Sequence, residues 1–480
     1  MKRMITLLFL FITLSTLASA QVRGQKVQKI KALIKVSVEK APWQDAPALK
    51  IYKGADKEAD IVIDPADRRQ AIQGFGGCFN EKGWEALSLL SGKQREEVLA
   101  RLFDPVRGAG FNICRVPIGA SDYAIDRYTL NQTPNDFQME FFSIDRDRRA
   151  LIPYIKAAMK FKPDLKVWGS AWTPPTWMKK KDTFDGSSMK DDPKIYEAYA
   201  LYLARFIEEY RREGVNLYAV AVQNEPAMRT NYPSCFWRAD QMQAFIRDYM
   251  GPTFAKRNLR ADIMLGTIQD GNFNAYPGRI MADKKTADYV SIIGYQWDGL
   301  KEVAETRTKF PDKLIMQTET DCGNWHWIPE VFNPDRPQND WTYGSYTWKK
   351  IRTYFGVGVG SYMLWNMVLD EEGKSIDSKR PWPQNAAVVV DRATKTVRYT
   401  PMYYAFRHVA SFVEEDAHYL SAGGNFTNRA VFINPNGEVV AVLENDTDES
   451  TALKINLGEY WMYAILPAHS WSTIRVPPLK

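Results

Sequence analysis

From Gln73 onward the chain repeats one theme, in which a short apolar run ends in Gly, Asn, Asp or Glu and a helical stretch follows. Eight such runs stand out, at 74–79, 111–118, 165–170, 217–223, 262–268, 289–295, 314–318 and 358–365. The segments between them include Gln94–Leu102, Arg146–Lys160 and Pro193–Glu213, whose apolar residues recur at three- and four-residue spacing, the period of an amphipathic helix. Strands that alternate with helices pair in parallel, because a parallel neighbour is reached only through a long crossover. Eight repeats predict an α/β fold, a (β/α)8 TIM barrel, over residues 66–405.

The flanks read differently. Residues 21–65 carry strand-like runs at Leu33–Val38, Leu49–Tyr52 and Asp60–Ile63, closed by Asp64-Pro65. Residues 406–480 drop the helical rhythm for strands at 430–433, 439–443, 452–455 and 463–465, separated by turns such as Asn434-Pro435-Asn436-Gly437. This tail is predicted to be a β-sandwich completed by the N-terminal strands. A tail that is instead an autonomous sugar-binding module stays open at this level. No low-complexity linker separates the two units, so they are expected to pack closely.

Residues 1–20 have the pattern of a secretory signal: Lys2 and Arg3, an apolar run from Leu7 to Ile12, then Ala18-Ser19-Ala20. Thr13, Ser15 and Thr16 interrupt the run before it is long enough to cross a bilayer. Cleavage after Ala20, export to the periplasm or the medium, and no stable membrane insertion are the expectations. Gln21, not Cys, follows, so the simplest lipoprotein signal is absent.

Four cysteines, Cys78, Cys114, Cys235 and Cys322, are few for an exported chain of 480 residues, and no CxxC pair occurs, so buried free thiols are expected. The formal charge is +6, two units of it from Lys2 and Arg3, and the basic residues are scattered among acidic ones, which does not point to nucleic acid. The histidines His326, His408, His418 and His469 are dispersed, and no phosphate-cradling GxxxxGK[ST] loop occurs, so neither metal nor organic cofactor is called for. GFGG at 74–77 lacks the GxGxxG spacing and opens a strand, where tight backbone packing explains it better than nucleotide binding. Aromatic residues are the informative excess: 15 Trp, 24 Tyr and 23 Phe make 13% of the chain. The flat apolar face of a pyranose packs on such rings.

Barrel enzymes gather their chemistry at the C-terminal ends of the strands. Two ends stand out: LYAVAVQNEP, which finishes with Gln223, Asn224, Glu225 and Pro226, and KLIMQTETDCG, which carries Glu319. Two carboxyl groups across a barrel mouth suit glycoside hydrolysis, one protonated to release the leaving oxygen and one ionised to trap the oxocarbenium-like centre. In the retaining arrangement they stand about 5–5.5 Å apart, so that the charge of one raises the pKa of the other. Asn224 has two readings, a hydrogen-bond partner for a sugar 2-hydroxyl or a cap on the turn before Pro226.

A series of motifs then resembles glycoside hydrolase family 30: QGFGGCFNE at 73–81, NICRVPIGASDY at 112–123, GSAWTPPTWMK at 169–179, AVAVQNEP at 219–226, QTETDCG at 317–323 and YMLWNMVLD at 362–370. The family includes lysosomal glucosylceramidase and microbial endo-β-1,6-glucanases. The resemblance implies that Glu225 is the acid/base and Glu319 the nucleophile, and that Asp122, Trp172, Asn224 and Trp365 surround the sugar nearest the cleaved bond. After the sixth barrel strand this chain has Tyr295, Gln296 and Trp297 where the glucosylceramidase pattern is His-Trp-Tyr. Tyr295 is expected near the nucleophile and Trp297 on the pocket wall. That departure puts a ceramide-type substrate in doubt. The leading expectation is an endo-β-1,6-glucanase acting on β-linked glucan or oligosaccharide; a glucosylceramidase-like or exo-β-glucosidase activity, and a silent glucan-binding barrel, are the rivals. Trp325, Trp327, Trp341 and Trp348 either line leaving-group subsites or pack a long loop.

Overall fold

The computed structural model describes residues 27–479 apart from 55, 57, 270, 321–332, 334–338, 380 and 382. The signal-like segment 1–20, Cys322, Trp325, His326 and Trp327 lie outside the described residues.

Three long strands lead: β1 (Val27–Val38), β2 (Ala41–Lys53) and β3 (Ile61–Ala71). Eight strands of the barrel follow: β4 (Gly74–Cys78), β5 (Ile113–Ile118), β6 (Lys166–Ala171), β7 (Leu217–Ala221), β8 (Asp262–Ile268), β9 (Val290–Gln296), β10 (Leu314–Thr320) and β11 (Ser361–Asn366). They hydrogen-bond in sequence order, and the parallel pairing of β11 with β4 closes the ring. The TIM barrel expected from the strand–helix alternation is therefore what the chain forms.

The barrel interior is filled, not hollow. Ile113, Trp168, Ala219, Ala221, Met264, Ile292, Met316 and Met363 make one apolar cluster inside it. Outward-facing neighbours such as Cys114, Val116, Val220, Ile293 and Ile315 join the larger core beneath the helices. This is the period-two alternation of strands buried on both faces. Gly76 belongs to the tight packing expected of GFGG, since a Cβ there would lie 1.9 Å from the Ile113 carbonyl oxygen. Helix Pro193–Arg212 starts on an Asp192 cap with Pro193 in its first turn and lays Tyr196, Tyr199, Leu203, Phe206 and Tyr210 into the core. One strand is shorter than its sequence suggests: the helix Thr342–Val357 takes the residues before Gly358, which caps it with φ 114°, and β11 begins only at Ser361.

Beyond the barrel come a small sheet, β12 (Val368–Asp370), β13 (Val388–Val390) and β14 (Val397–Tyr399), and then β15 (His418–Gly423), β16 (Arg429–Ile433), β17 (Val439–Asn445), β18 (Thr451–Leu457), β19 (Tyr460–Leu466) and β20 (Ser470–Val476). The sandwich has the strand order β1-β2-β19-β18-β3-β15-β16-β17-β20, with β1 paired to β20. The N-terminal strands thus supply a third of its nine strands, as expected, and β3 still pairs with β15 at Ala71.

The sandwich is seated on the barrel by aromatic and polar contacts. Trp341 stacks on Trp471 with ring centroids 4.2 Å apart, and Trp348 donates its indole N–H to Asn428 at 2.8 Å. His408, on helix Pro401–Ala410, is fully buried between the Thr473 and Ser37 hydroxyls, 2.8 Å from each. Burial pushes its pKa down to about 3, so it is a neutral hydrogen-bonding wedge. Trp341 and Trp348 therefore pack at the joint between the units.

Because β19, β20, β15 and β18 take edge partners from β2, β1 and β3, a fragment of residues 410–480 is expected to be unfolded by far-UV circular dichroism. A folded fragment would show that the C-terminal strands suffice.

Candidate active site

The strand ends at one mouth of the barrel carry the polar residues, and strand periodicity decides which of them face inward. On β5, Ile113 points into the barrel, so Arg115, two residues on, does too; on β6 and its extension the same face carries Trp168, Ser170 and Trp172. On β11 it carries Met363 and then Trp365. Glu319 reaches the mouth through an irregularity: between Gln317 and Glu319, β10 advances two residues while β9 advances one, from Tyr295 to Gln296. An extra residue of this kind re-aims the side chain that follows it.

Arg115 is the hub. It is fully buried, and its guanidinium donates to Glu319 Oε2 at 2.6 Å, to Asn224 Oδ1 at 2.6 Å and to Ser170 Oγ at 3.1 Å. Trp168, Trp172 and Trp365 surround it, with ring centroids 5.1, 4.2 and 5.4 Å from the guanidinium carbon. Gln296 completes the network by donating from Nε2 to Glu319 Oε2 at 3.0 Å and to Asn224 Oδ1 at 2.9 Å. Thr267 also donates to Asn224 Oδ1, at 2.9 Å. The Glu319 carboxylate thus receives a cation and an amide donor at one oxygen, an arrangement that favours its ionised form.

Glu225 lies in a different environment. It is 4% exposed, and the Tyr232 hydroxyl donates to its Oε2 at 3.0 Å. Burial first, then the negative charges of Glu319 and Asp122, raise its pKa to about 8. The two carboxyl groups are thus electrostatically linked but unlike. Glu225 also holds φ at 45°, a conformation that costs a non-glycine residue about 1 kcal/mol. Backbone hydrogen bonds on both sides enforce it, from Glu225 N–H to the Thr267 carbonyl at 3.1 Å and from Asn224 N–H to the Ala171 carbonyl at 2.7 Å. Strain held in this way is common where a side chain must be aimed.

Trp172 and Trp365 stack at 5.2 Å and form an aromatic wall with Cys78, Tyr123 and Leu369. Asp122 is hydrogen-bonded by the Trp365 indole, and burial followed by the charge of Glu319 raises its carboxyl to about 8. Of the residues singled out in the sequence, Glu225, Glu319, Asp122, Trp172, Asn224 and Trp365 come together here.

Tyr295 does not. Its side chain lies in the core under the helices, with its hydroxyl bonded to Thr306 of helix Leu300–Lys309. The reason is the pleat of β9: Ile292 faces the barrel interior and Ile293 faces out, so Tyr295 faces out and Gln296 faces the site. Trp297 follows in the turn, half-buried, with its carbonyl 3.5 Å from the Lys350 ammonium. Arg115, Gln296 and Tyr232 are the site residues that the sequence reading passed over. The first two had a signal, a polar side chain on the inward face of an apolar strand; Tyr232, in a loop, had none. Cys78, Cys114 and Cys235 are buried free thiols, and among the described residues no group of three His, Cys, Asp or Glu side chains is placed to hold a metal ion.

The raised Glu225 carboxyl has a consequence for stability. It ionises at about pH 4 in an unfolded chain and at about 8 in the fold. Over that window the folded protein keeps a proton that the unfolded one has lost, so stability falls as pH rises. The Glu225→Gln variant is expected to melt higher than wild type at pH 8, by on the order of 2 °C, with the difference vanishing toward pH 4. Scanning calorimetry across that range checks the sign.

Comparison with known proteins agrees with this geometry. Residues 72–413 match the glycosyl hydrolase family 30 TIM-barrel domain, and residues 421–474 match the glycosyl hydrolase family 30 beta sandwich domain. The chain is 28% identical to putative glucosylceramidase 1 of Caenorhabditis elegans over 419 residues, 80% of this chain and 76% of the relative. It is 22% identical to an endo-1,6-beta-D-glucanase of Aspergillus fumigatus over 467 residues, 88% of this chain and 89% of the relative. The solved structure of the endo-beta1,6-glucanase BT3312 superposes with a TM-score of 0.79 at 23% identity, covering 93% of this chain and all (100%) of that one. The chain belongs to glycosyl hydrolase family 30 and is a glycoside hydrolase.

Proposed function

We propose that this protein is an exported retaining β-glycosidase in which Glu319 attacks the anomeric carbon and Glu225 is the acid/base. The observation that carries the reading is the contrast between the two carboxyl groups: Arg115 and Gln296 donate to Glu319, whereas Glu225 is buried with a carboxyl raised to about 8. The donors around the first favour its anion, and the raised carboxyl of the second favours the protonated form. In the first step the Glu319 carboxylate forms a bond to the anomeric carbon while Glu225 gives its proton to the departing glycosidic oxygen. Glu319, now an ester, no longer bears the charge that helped to raise Glu225, so the proton affinity of Glu225 drops just when it must act as a base. A water molecule then gives its proton to Glu225 and its oxygen to the anomeric carbon, and Glu319 departs as a carboxylate. Asn224, held between Arg115, Gln296 and Thr267, is suited to a sugar 2-hydroxyl, and the Trp172–Trp365 wall to the face of the ring.

For the substrate, we infer a β-1,6-linked glucan cut internally. The A. fumigatus glucanase aligns over nearly the whole chain, and the solved glucanase shares the two-domain architecture. A glucosylceramidase-like activity is the second reading, favoured by the higher identity to the nematode relative. Against it stands the end of β9, where Gln296 and not an aromatic residue enters the site.

Wild-type protein is expected to release a ladder of oligomers from linear β-1,6-glucan, with the new reducing end first seen as the β-anomer by proton NMR. Glu319→Gln is expected to lower kcat at least about 1,000-fold, a loss of about 4 kcal/mol of transition-state stabilisation. Glucose alone from the first minute would point to end-wise cutting, and activity surviving in Glu319→Gln would remove that residue from its role.

A further inference from the structure

Four loops at the mouth are joined by a single side chain that touches none of the proposed catalytic groups. Arg127, on the loop after β5, makes a two-pronged pair with Asp185 of the loop after β6, at 2.7 and 2.8 Å. The same guanidinium donates to the Asn231 carbonyl of the loop after β7 at 2.8 Å and to the Ile376 carbonyl of the loop after β12 at 3.0 Å. A second staple lies close by. The buried ammonium of Lys179 donates to the Thr173 hydroxyl at 2.9 Å and to the carbonyls of Phe184 and Ser234 at 2.8 Å each. The two cations grip the turn 230–234 at Asn231 and Ser234, and Tyr232 lies between these points. Within the turn, the Thr230 hydroxyl donates to the Tyr232 carbonyl at 2.9 Å, and the Ser234 hydroxyl accepts from Thr230 N–H at 3.1 Å. Ser378 N–H adds a tie to the Asn231 carbonyl at 3.0 Å, and Ile376 N–H donates to the Asp122 carbonyl at 2.8 Å, linking the staple to the other side of the pocket.

We propose that Tyr232 is a positioning residue for the acid/base, and that Arg127 acts through it by fixing the turn 230–234 so that the Tyr232 hydroxyl stays on Glu225 Oε2. The proposal rests on the assignment of Glu225 as the acid/base. A hydroxyl donated to Oε2 directs the acid proton to Oε1, giving the proton one defined direction toward the leaving oxygen. It also favours the ionised form, opposing the burial and the charges of Glu319 and Asp122 that favour the protonated form; Arg115 acts in the same sense as Tyr232. A loose turn would leave the proton on either oxygen. Charge-assisted, two-pronged contacts are the kind that hold a loop in one geometry.

Two aryl β-glycosides of the sugar that the enzyme turns over test this, one with phenol and one with 2,4-dinitrophenol as leaving group. The dinitrophenolate departs without a proton, so only the phenyl substrate needs a well-aimed acid. Tyr232→Phe is expected to lower kcat/KM about 10- to 100-fold for the phenyl substrate and less than about 3-fold for the dinitrophenyl one, within the usual span of general acid catalysis. Its alkaline limb for the phenyl substrate is expected to move to higher pH, because a donor to the carboxylate is gone. Arg127→Gln is expected to show the same leaving-group contrast, and the double variant no more than the larger single effect. Equal losses on both substrates, or no loss on the phenyl one, would overturn the proposal by reducing Tyr232 to a packing residue. Glu225→Gln serves as the control: without a leaving-group contrast there, the acid/base assignment itself fails and takes this proposal with it.

Discussion

A buried cation and a nearly buried anion hold the mouth of this barrel together. Arg115 has no exposed surface, and its partner Glu319 keeps 12% side-chain exposure. Taking such a charge out of water is expensive unless its donors are matched, so the rest of the site is arranged around that requirement. Asn224, Ser170 and Glu319 accept from the guanidinium, three tryptophans pack about it, and Gln296 and Thr267 extend the network, while Arg115 Nε and Gln296 Oε1 have no partner among the described residues. The same interaction divides the labour between the two carboxyl groups. Donors concentrated on Glu319 leave Glu225 to feel its charge from a buried position with less compensation, and the proposed division into nucleophile and acid rests on that asymmetry.

The site depends on the barrel through a small number of backbone devices. The pleat of β5, β6 and β11 lines up Arg115, Trp172 and Trp365 above the apolar plug of Trp168, Met264 and Met363. An irregular register in β10 turns Glu319 inward, and a left-handed backbone at Glu225, held by Thr267, aims the second carboxyl. The sandwich is too firmly seated to be a loose appendage. His408, Trp341 and Trp471 are joint residues, and Gly344 leaves no room for a Cβ, which would lie 2.2 Å from the Trp471 ring. Through these contacts the sandwich anchors the helices Thr342–Val357 and Pro401–Ala410.

Much of this was legible from residue order, and the limits have physical reasons. The strand–helix rhythm specified the barrel, and the position of Glu225 and Glu319 at strand ends placed them at its mouth. The N-terminal strands proved longer than their apolar runs, because β1 and β2 are hairpin partners whose outer faces carry Lys and Gln. Tyr295 was misplaced by attention to a motif in preference to the pleat; counting in twos from Ile292 leads to Gln296. Arg115 could have been read the same way, as a charge on the inward face of an apolar strand. Tyr232 could not, since its place depends on Arg127, Asp185 and Ile376, residues as many as 249 positions apart in the chain.

The central claim, that Glu319 becomes covalently bonded to sugar while Glu225 manages the proton, is tested most directly by trapping the intermediate. A 2-deoxy-2-fluoro β-glucoside with a good leaving group slows release more than formation, so the glycosyl-enzyme accumulates. Mass spectrometry of a proteolytic digest should then find the fluorosugar on the peptide that contains Glu319, with Glu225 unmodified. Label on Glu225, or rapid turnover of a confirmed inverting product with no label at all, would contradict the account.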